Sequence, residues 1–378
     1  MTPPDPLDDA VLPAGIRSRF VTGVNGLRMH VLEAGFDPPG LPCVLLLHGF
    51  PELAYSWRKV MLPLAAAGFY VVAPDQRGYG RTTGWDADYD GDLGSFRLLN
   101  LVRDTLGLLW ALGREAVAAV VGHDFGAPVA AWCALIRPDV CQRVVLMSAP
   151  FDGPPSRPFR GAAEASLEAD LGRLDPPRKH YQWYYSTRAA NADMWHCPQG
   201  VHAFLRAYYH HKSADWPGNQ PFPLASWSAE ELAKLPTYYV MERGKDMAAT
   251  VGTEMPSAAA ITACAWLPER ELQVYSDAFT RTGFQGGLQW YRCRTQGVGL
   301  SELEVFSGRT IDVPALFIAG RSDWGIHQVP GSLARMQHDA CRRMHGVHLI
   351  GEAGHWVQQE QPAQVSSLLL QFLEEPSI

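Results

Sequence analysis

The segment Gly122-His123-Asp124-Phe125-Gly126 constrains this chain more than any other. An apolar run, Ala116 to Val121, leads into it, and a helical pattern, Ala127 to Ile136, leads out and stops at Arg137-Pro138. A strand, a sharp turn and a helix must therefore meet at Asp124. Glycines two positions either side allow the tight backbone such a junction needs. The residue at the tip is a carboxylate. With an ordinary pKa near ~3.9 it is ionised at neutral pH. It can displace a leaving group from saturated carbon without a general base, leaving an alkyl ester of the protein.

The rest of the chain supplies a frame for that turn. Arg17 to Val24 and Leu27 to Ala34 read as strands joined at Asn25-Gly26, a strong hairpin signal. Pro42 to Leu47, Phe69 to Ala73, Val144 to Met147, Ala315 to Ala319 and Val347 to Ile350 read as further buried strands. Helices are expected over Ser56 to Ala67, with Ser56 as N-cap, over Ser95 to Leu112, and over Pro362 to Leu373. Strands alternating with helices imply an α/β chain with a mostly parallel sheet and one antiparallel edge. Between Ser148 and Val313 buried strands disappear and Trp, Tyr and Phe become dense. That stretch reads as a mostly helical insertion. The expected division is a Pro-rich N-terminal arm over 1–15, a core over 16–150 and 312–378, and a cap over 151–311.

In open α/β sheets the active site forms beyond the carboxyl ends of the strands. Four segments end strands in this way: His48 to Glu52, Asp124, Asp323 and His355. Asp323 follows the strand ending at Ala319, and His355 lies five residues past Ile350. The order nucleophile, acid, histidine is that of the α/β-hydrolase fold, with Asp where Ser usually stands. Each residue also has a structural reading: Asp124 and Asp323 as helix caps, His355 as a satisfied core histidine. Three in the right order favour the catalytic one, and Asp152 is the runner-up for the acid. Ester hydrolysis needs a neutral His to activate water and a carboxylate to fix its tautomer. It also needs donors at the ester carbonyl, for which the backbone N–H groups of Phe50 and Phe125 are the candidates.

His48-Gly49-Phe50-Pro51-Glu52, Gly122-His123-Asp124 and Gly354-His355-Trp356 resemble the motifs of α/β-hydrolase-fold epoxide hydrolases. Thr282-Gly283-Phe284-Gln285-Gly286-Gly287-Leu288-Gln289-Trp290-Tyr291-Arg292 resembles the family's cap segment, whose tyrosine binds epoxide oxygen, and points to Tyr291. The stretch His180-Tyr181-Gln182-Trp183-Tyr184 resembles the one that opens with the second tyrosine, which gives Tyr181, with Tyr184 and Tyr185 as alternatives. The chain departs from the family at Phe125, where many relatives carry Trp, and over 195–265, which matches nothing placed. The resemblance implies a cofactor-independent enzyme that turns an epoxide into a vicinal diol; the aromatic cap suggests a largely apolar substrate, with Trp183, Trp290, Trp324 and Pro51 against it.

A haloalkane or haloacid dehalogenase would use the same Asp, His and acid but needs N–H donors for halide; Trp183, Trp290 or Trp324 could supply them. A hydrolase-fold protein that only binds a ligand is a third reading. Cys341, His345 and His348 lie close in sequence but lack a fourth ligand, so no metal is expected. A net charge of -7 offers no basic surface for nucleic acid. No stretch reaches the roughly 18 apolar residues of a membrane span. The seven cysteines are scattered and form no C-x-x-C pair, which fits a reducing compartment and a cytoplasmic location. Oligomerisation is left open.

Overall fold

The computed structural model describes residues 4–156 and 163–374. Residues 1–3 of the expected arm, 157–162 of the expected cap and 375–378 of the expected core lie outside them. The core opens with β1 (Ile16–Val24) and β2 (Leu27–Ala34), then β3 (Cys43–Leu47), α1 (Arg58–Ala66), β4 (Tyr70–Pro74), α2 (Leu98–Ala111), β5 (Ala119–His123), α3 (Gly126–Ile136) and β6 (Val144–Met147). The inserted stretch holds α4 (Ala163–Arg173), β7 (Arg178–His180), α5 (Tyr181–Tyr185), α6 (Ala189–Trp195), α7 (Gly200–Lys212), α8 (Ala229–Leu232), β8 (Val240–Glu242) and α9 (Met247–Gly252). It continues with α10 (Ala258–Ala263), α11 (Glu269–Thr282), α12 (Gln285–Thr295) and α13 (Leu300–Glu304). The core then resumes with β9 (Ala315–Gly320), α14 (Ser332–Arg335), β10 (Met344–Ile350), α15 (Val357–Glu360) and α16 (Pro362–Glu374).

Eight strands form one sheet in the order β1-β2-β4-β3-β5-β6-β9-β10. β1 pairs antiparallel with β2, and β2 antiparallel with β4; the other pairings are parallel. Asn25 (φ 48) and Gly26 (φ 81) make the hairpin turn with both residues left-handed, as such a turn demands. From β3 the chain steps to β4 on one side and then back to β5 on the other. That reversal opens a crevice beyond the carboxyl ends of β3 and β5, where ligands of open α/β sheets sit. β3, β4, β5 and β6 are buried along their whole length, which explains their unbroken apolar runs.

Several elements depart from expectation. Residues 54–57 form a 3-10 turn before α1, and Ser56 does not cap it; its Oγ instead meets the Tyr275 hydroxyl at 2.9 Å. A separate 3-10 turn, Leu93–Phe96, precedes α2. β5 begins three residues later than the apolar run and extends through His123, because that polar side chain finds buried partners. β10 begins at Met344, ahead of the apolar run, because it lies at the sheet edge and buries little besides Ile350. The insertion is not free of strands: β7 and β8 form a short antiparallel pair. The segment before β1 is pinned by Leu7, which is buried and donates its N–H to Ser18 Oγ at 2.8 Å. Among the described residues no helix is long and apolar enough to cross a membrane.

Candidate active site

Asp124 sits between β5 and α3 with φ at +50°, in the left-handed region that few side chains other than Gly, Asn and Asp enter. Its surroundings explain the glycines. A Cβ on Gly122 would lie 2.1 Å from the Gly126 carbonyl oxygen, and one on Gly126 would lie 2.3 Å from that of Leu47. Gly49, in the loop after β3, has its own Cβ direction blocked by the Asp124 side chain at 2.3 Å. Three glycines therefore let two backbones close around one carboxylate.

The Phe50 N–H donates to Asp124 Oδ1 at 2.9 Å, and His355 Nε2 stands 3.3 Å from Oδ2. Phe125 heads α3 but its amide makes no bond to the carboxylate in this geometry, so only one of the two expected donors is engaged. On the far side of the imidazole, His355 Nδ1 lies 3.1 and 3.2 Å from the two oxygens of Asp323, and Oδ1 also accepts the Gly325 N–H at 2.7 Å. Both acceptors belong to a carboxylate, so Nδ1 carries a hydrogen, and Nε2 is the ring nitrogen turned toward Asp124. Burial pushes Asp124 up, but the adjoining imidazole and the Lys212 ammonium outweigh it and hold the carboxyl well below the usual range. Asp323 is likewise lowered: His355 and the Gly325 N–H outweigh its burial. Asp152, the alternative acid, lies exposed at the rim of the cavity that opens onto Asp124, and it pairs with Arg335 at 3.0 Å, not with His355.

A cavity of about 250 Å³ opens onto Asp124 and is lined by Phe125, Tyr181, Trp183, Arg294 and Gln328 among others. The Tyr181 and Tyr291 rings lie 5.8 Å apart, and Tyr291 stands edge-on to Phe125 at 4.6 Å. The Tyr181 hydroxyl donates to Gln328 Oε1 at 3.1 Å and accepts from Gln182 Nε2 at 3.0 Å. No protein group binds the Tyr291 hydroxyl among the described residues. The other two tyrosines are committed elsewhere: Tyr184 donates to Asp193 at 2.9 Å, and Tyr185 to Tyr208 at 3.3 Å. Both site phenols are raised above their ordinary value, first by burial and then by the charge on Asp124.

Three expected substrate contacts are not at this cavity. Trp290 packs behind Phe125 at 5.6 Å and gives its indole N–H to the Arg77 carbonyl at 3.0 Å. Trp324, next to Asp323, is buried and packs on Phe222. Pro51 is buried and uses its carbonyl to accept the Tyr209 hydroxyl at 2.8 Å. Trp183 alone of the four lines the cavity. A wider cleft of about 840 Å³, bounded in part by Arg206, Trp266 and Glu360, holds no member of the Asp-His-Asp set and no tyrosine. Its one thiol, Cys264, is pushed above its ordinary value, first by burial, and among the described residues no paired carboxylate and imidazole stand beside it. Among the described residues no group of His, Cys, Asp and Glu is placed to hold a metal.

Residues 42–362 match the family model described as alpha/beta hydrolase fold. The chain is 34% identical over 366 residues to epoxide hydrolase A of Mycobacterium tuberculosis, covering 95% of this chain and 98% of that one. It is 33% identical over 362 residues to epoxide hydrolase B of the same organism, covering 93% and 97%. The chain belongs to the epoxide hydrolase family. A solved epoxide hydrolase from an endophytic Streptomyces superposes with a TM-score of 0.77 at 31% identity over 96% of each chain. In this epoxide hydrolase family member the cap is the insertion between β6 and β9.

Four polar groups at the site were given no role from the sequence. Glu52 accepts from His123 Nδ1 at 2.6 Å, and His123 Nε2 meets the His355 carbonyl at 2.7 Å. Both partners only accept, so both ring nitrogens must carry hydrogen and His123 is an imidazolium. Its burial opposes that charge, but Glu52 outweighs the burial and His123 is raised. Lys212, at the end of α7, is buried among Tyr208, Tyr238, Tyr239 and Trp356, with Nζ 5.0 to 5.7 Å from their ring centres. Gln328 holds the Tyr181 hydroxyl. Glu52 stood inside a quoted motif; Lys212 and Gln328 carry no local signal, because each arrives from a distant segment.

Proposed function

We propose that this protein hydrolyses an epoxide to a vicinal diol through a covalent ester on Asp124. The observation that carries the reading is the pairing of two phenols, 5.8 Å apart ring to ring, with a carboxylate whose Oδ1 is already held by a backbone amide. In the first step Oδ2 attacks a ring carbon, the carbon–oxygen bond breaks, and the epoxide oxygen takes a proton from a phenol. As Asp124 bonds to carbon its negative charge disappears, and with it the second cause, after burial, of the phenols' weak acidity. The donors thus become better as charge develops on oxygen, which favours the transition state over the ground state.

In the second step His355 Nε2 takes a proton from water as the water oxygen adds to the ester carbonyl. The Phe50 N–H stabilises the oxyanion on Oδ1, and Asp323 stabilises the imidazolium. Collapse releases the diol, whose new hydroxyl takes the proton from His355. The carboxylic acid left behind returns its proton to the tyrosinate, and the starting state is restored. The Phe125 amide joins the oxyanion hole if the helix start tightens on the ester.

The apolar rings of Phe125 and Trp183 favour a substrate with an apolar substituent. A halide leaving group would need indole donors; that of Trp290 is taken by the Arg77 carbonyl, which leaves Trp183 as the candidate indole that lines the cavity. Seven free cysteines suit a reducing, cytoplasmic setting. A panel of small epoxides and haloalkanes with product analysis tests the reading. Diol from epoxides without halide release from haloalkanes is the expected result; halide release without diol contradicts it.

A further inference from the structure

We infer that Glu360 is a positioning residue that seats His355 against the cap, and so serves ester hydrolysis and not ester formation. The inference rests on the two-step reading above. Glu360 ends α15, and its carboxylate turns back toward the loop that carries the base. Oε2 accepts the N–H of Gly354 at 2.9 Å and that of Ala214 at 2.8 Å, while Oε1 accepts the N–H of Trp356 at 2.9 Å. The amide between them, that of His355, donates to the Lys212 carbonyl at 2.9 Å. Three successive amides are thus tied, two to one carboxylate and one to the last residue of α7.

Ala214 is the cap's share of the clamp, because it donates to the same oxygen as Gly354. The fit is close. A Cβ on Gly354 would lie 2.5 to 2.6 Å from Ser213 C, Ala214 N and the Lys212 carbonyl oxygen. The His355 carbonyl faces the other way, toward His123 Nε2 at 2.7 Å and Ser148 Oγ at 3.3 Å. The backbone of the base is therefore held between cap and core. Burial pushes the Glu360 carboxyl up to about 8, against the three amides. The clamp does not depend on charge: the two oxygens accept the three N–H groups and still leave a site on Oε1 for a proton.

The groups that form the ester are positioned by other means. Asp124 is set by β5 and the Phe50 amide, Tyr181 by its N–H bond to the Tyr239 carbonyl at 2.9 Å, and Tyr291 by α12. Loss of the clamp should therefore reach only the base. Glu360→Gln replaces one acceptor oxygen by an amide whose hydrogens oppose a backbone N–H. A displacement near 1 Å at a reacting group costs on the order of 10²-fold.

Single-turnover experiments with an epoxide, quenched and read by mass spectrometry of the Asp124 peptide, resolve the two steps. In Glu360→Gln the ester should form within about threefold of the normal rate and break down on the order of 10- to 100-fold more slowly, so that it accumulates. Equal slowing of both steps, or no change in either, overturns the inference. Ala214→Pro is the second variant in case the first does not fold. It removes only the cap-side donor, and Ser213 at φ -86, ψ 172 already has the extended backbone a residue before proline requires. It should show the same asymmetry at smaller size, and symmetric slowing again counts against the clamp. An unaltered protein that yields diol without ester would overturn the reaction reading instead, and is told apart by that result alone.

Discussion

Tyr291→Phe removes one hydroxyl and leaves the ring. The ring makes edge contacts with Phe125 at 4.6 Å, Tyr185 at 5.0 Å and Phe50 at 5.4 Å, and all of these survive the change. No protein group binds the hydroxyl among the described residues, so its loss strands no buried partner and folding stability should move by less than about 1 kcal/mol. In the proposed reaction the same hydroxyl is one of two donors to the opening oxirane. Losing one preorganised donor at a developing oxyanion costs about 3–4 kcal/mol, or on the order of 10²- to 10³-fold. Tyr181 remains and donates in its place, though its hydroxyl must first leave Gln328, so the loss should fall within that range and not beyond it. The assay is single-turnover quench with mass spectrometry, which gives rate constants for ester formation and ester breakdown separately. Formation should fall by that factor and breakdown by less than about threefold. Tyr184→Phe is the control: its hydroxyl is bound by Asp193 inside the cap, so it should cost stability without touching either rate constant. Equal slowing of both steps in Tyr291→Phe, or a loss in Tyr184→Phe as large as that in Tyr291→Phe, refutes the assignment.

Other outcomes follow from the same geometry. His355→Gln removes the base that stands 3.3 Å from Asp124 and should leave the alkyl ester trapped on Asp124, seen as a mass increase equal to the epoxide; only free protein in the spectrum would contradict it. Asp323→Asn keeps the shape beside His355 Nδ1 but presents an amide there, which favours the wrong tautomer; turnover should fall by about 10⁴-fold with ester accumulating, and loss at the formation step instead would count against the role. Asp75 tests electrostatics far from the chemistry. Burial raises its carboxyl, but His30 at 2.7 Å, His48 and the Arg81 amide outweigh that and hold it well below the usual range. A group lowered on folding stabilises above its unfolded value of about 3.9 and loses that contribution as pH falls toward the folded value. The stability gap between the unaltered protein and Asp75→Asn, read by denaturant melts, should therefore be widest near neutral pH and narrow below about pH 4. A gap unchanged down to pH 3 would contradict the sign.

What could be read from the sequence was whatever depends on local pattern. The turn at Asp124 was legible because glycine spacing, an apolar run and a helical pattern meet there, and the structure shows each glycine forced by a backbone contact near 2 Å. Asp323 and His355 were legible as residues that end strands. Tyr291 was legible only through resemblance, since one tyrosine among many aromatics has no periodic signature. Tyr181 was also chosen ahead of Tyr184 and Tyr185 by resemblance, since no local pattern separates them: successive residues on α5 face different ways, and their hydroxyls have different partners. Trp290 and Pro51 were misplaced for the same reason, because the groups that satisfy them lie 213 and 158 residues away. The strand pair in the cap was missed because β7 and β8 are three residues each, too short to alternate visibly. Lys212, Gln328 and Glu360 matter through what they reach across the fold, which no window of sequence contains.

The central claim is that a carboxylate oxygen of Asp124 leaves with the product and is replaced from water. A single turnover in heavy-oxygen water, with protein in excess over epoxide, measures it directly. The account predicts one heavy oxygen in the peptide carrying Asp124 and none in the diol. Heavy oxygen in the diol with an unlabelled Asp124 would mean that water attacks the epoxide itself, and would contradict the covalent route.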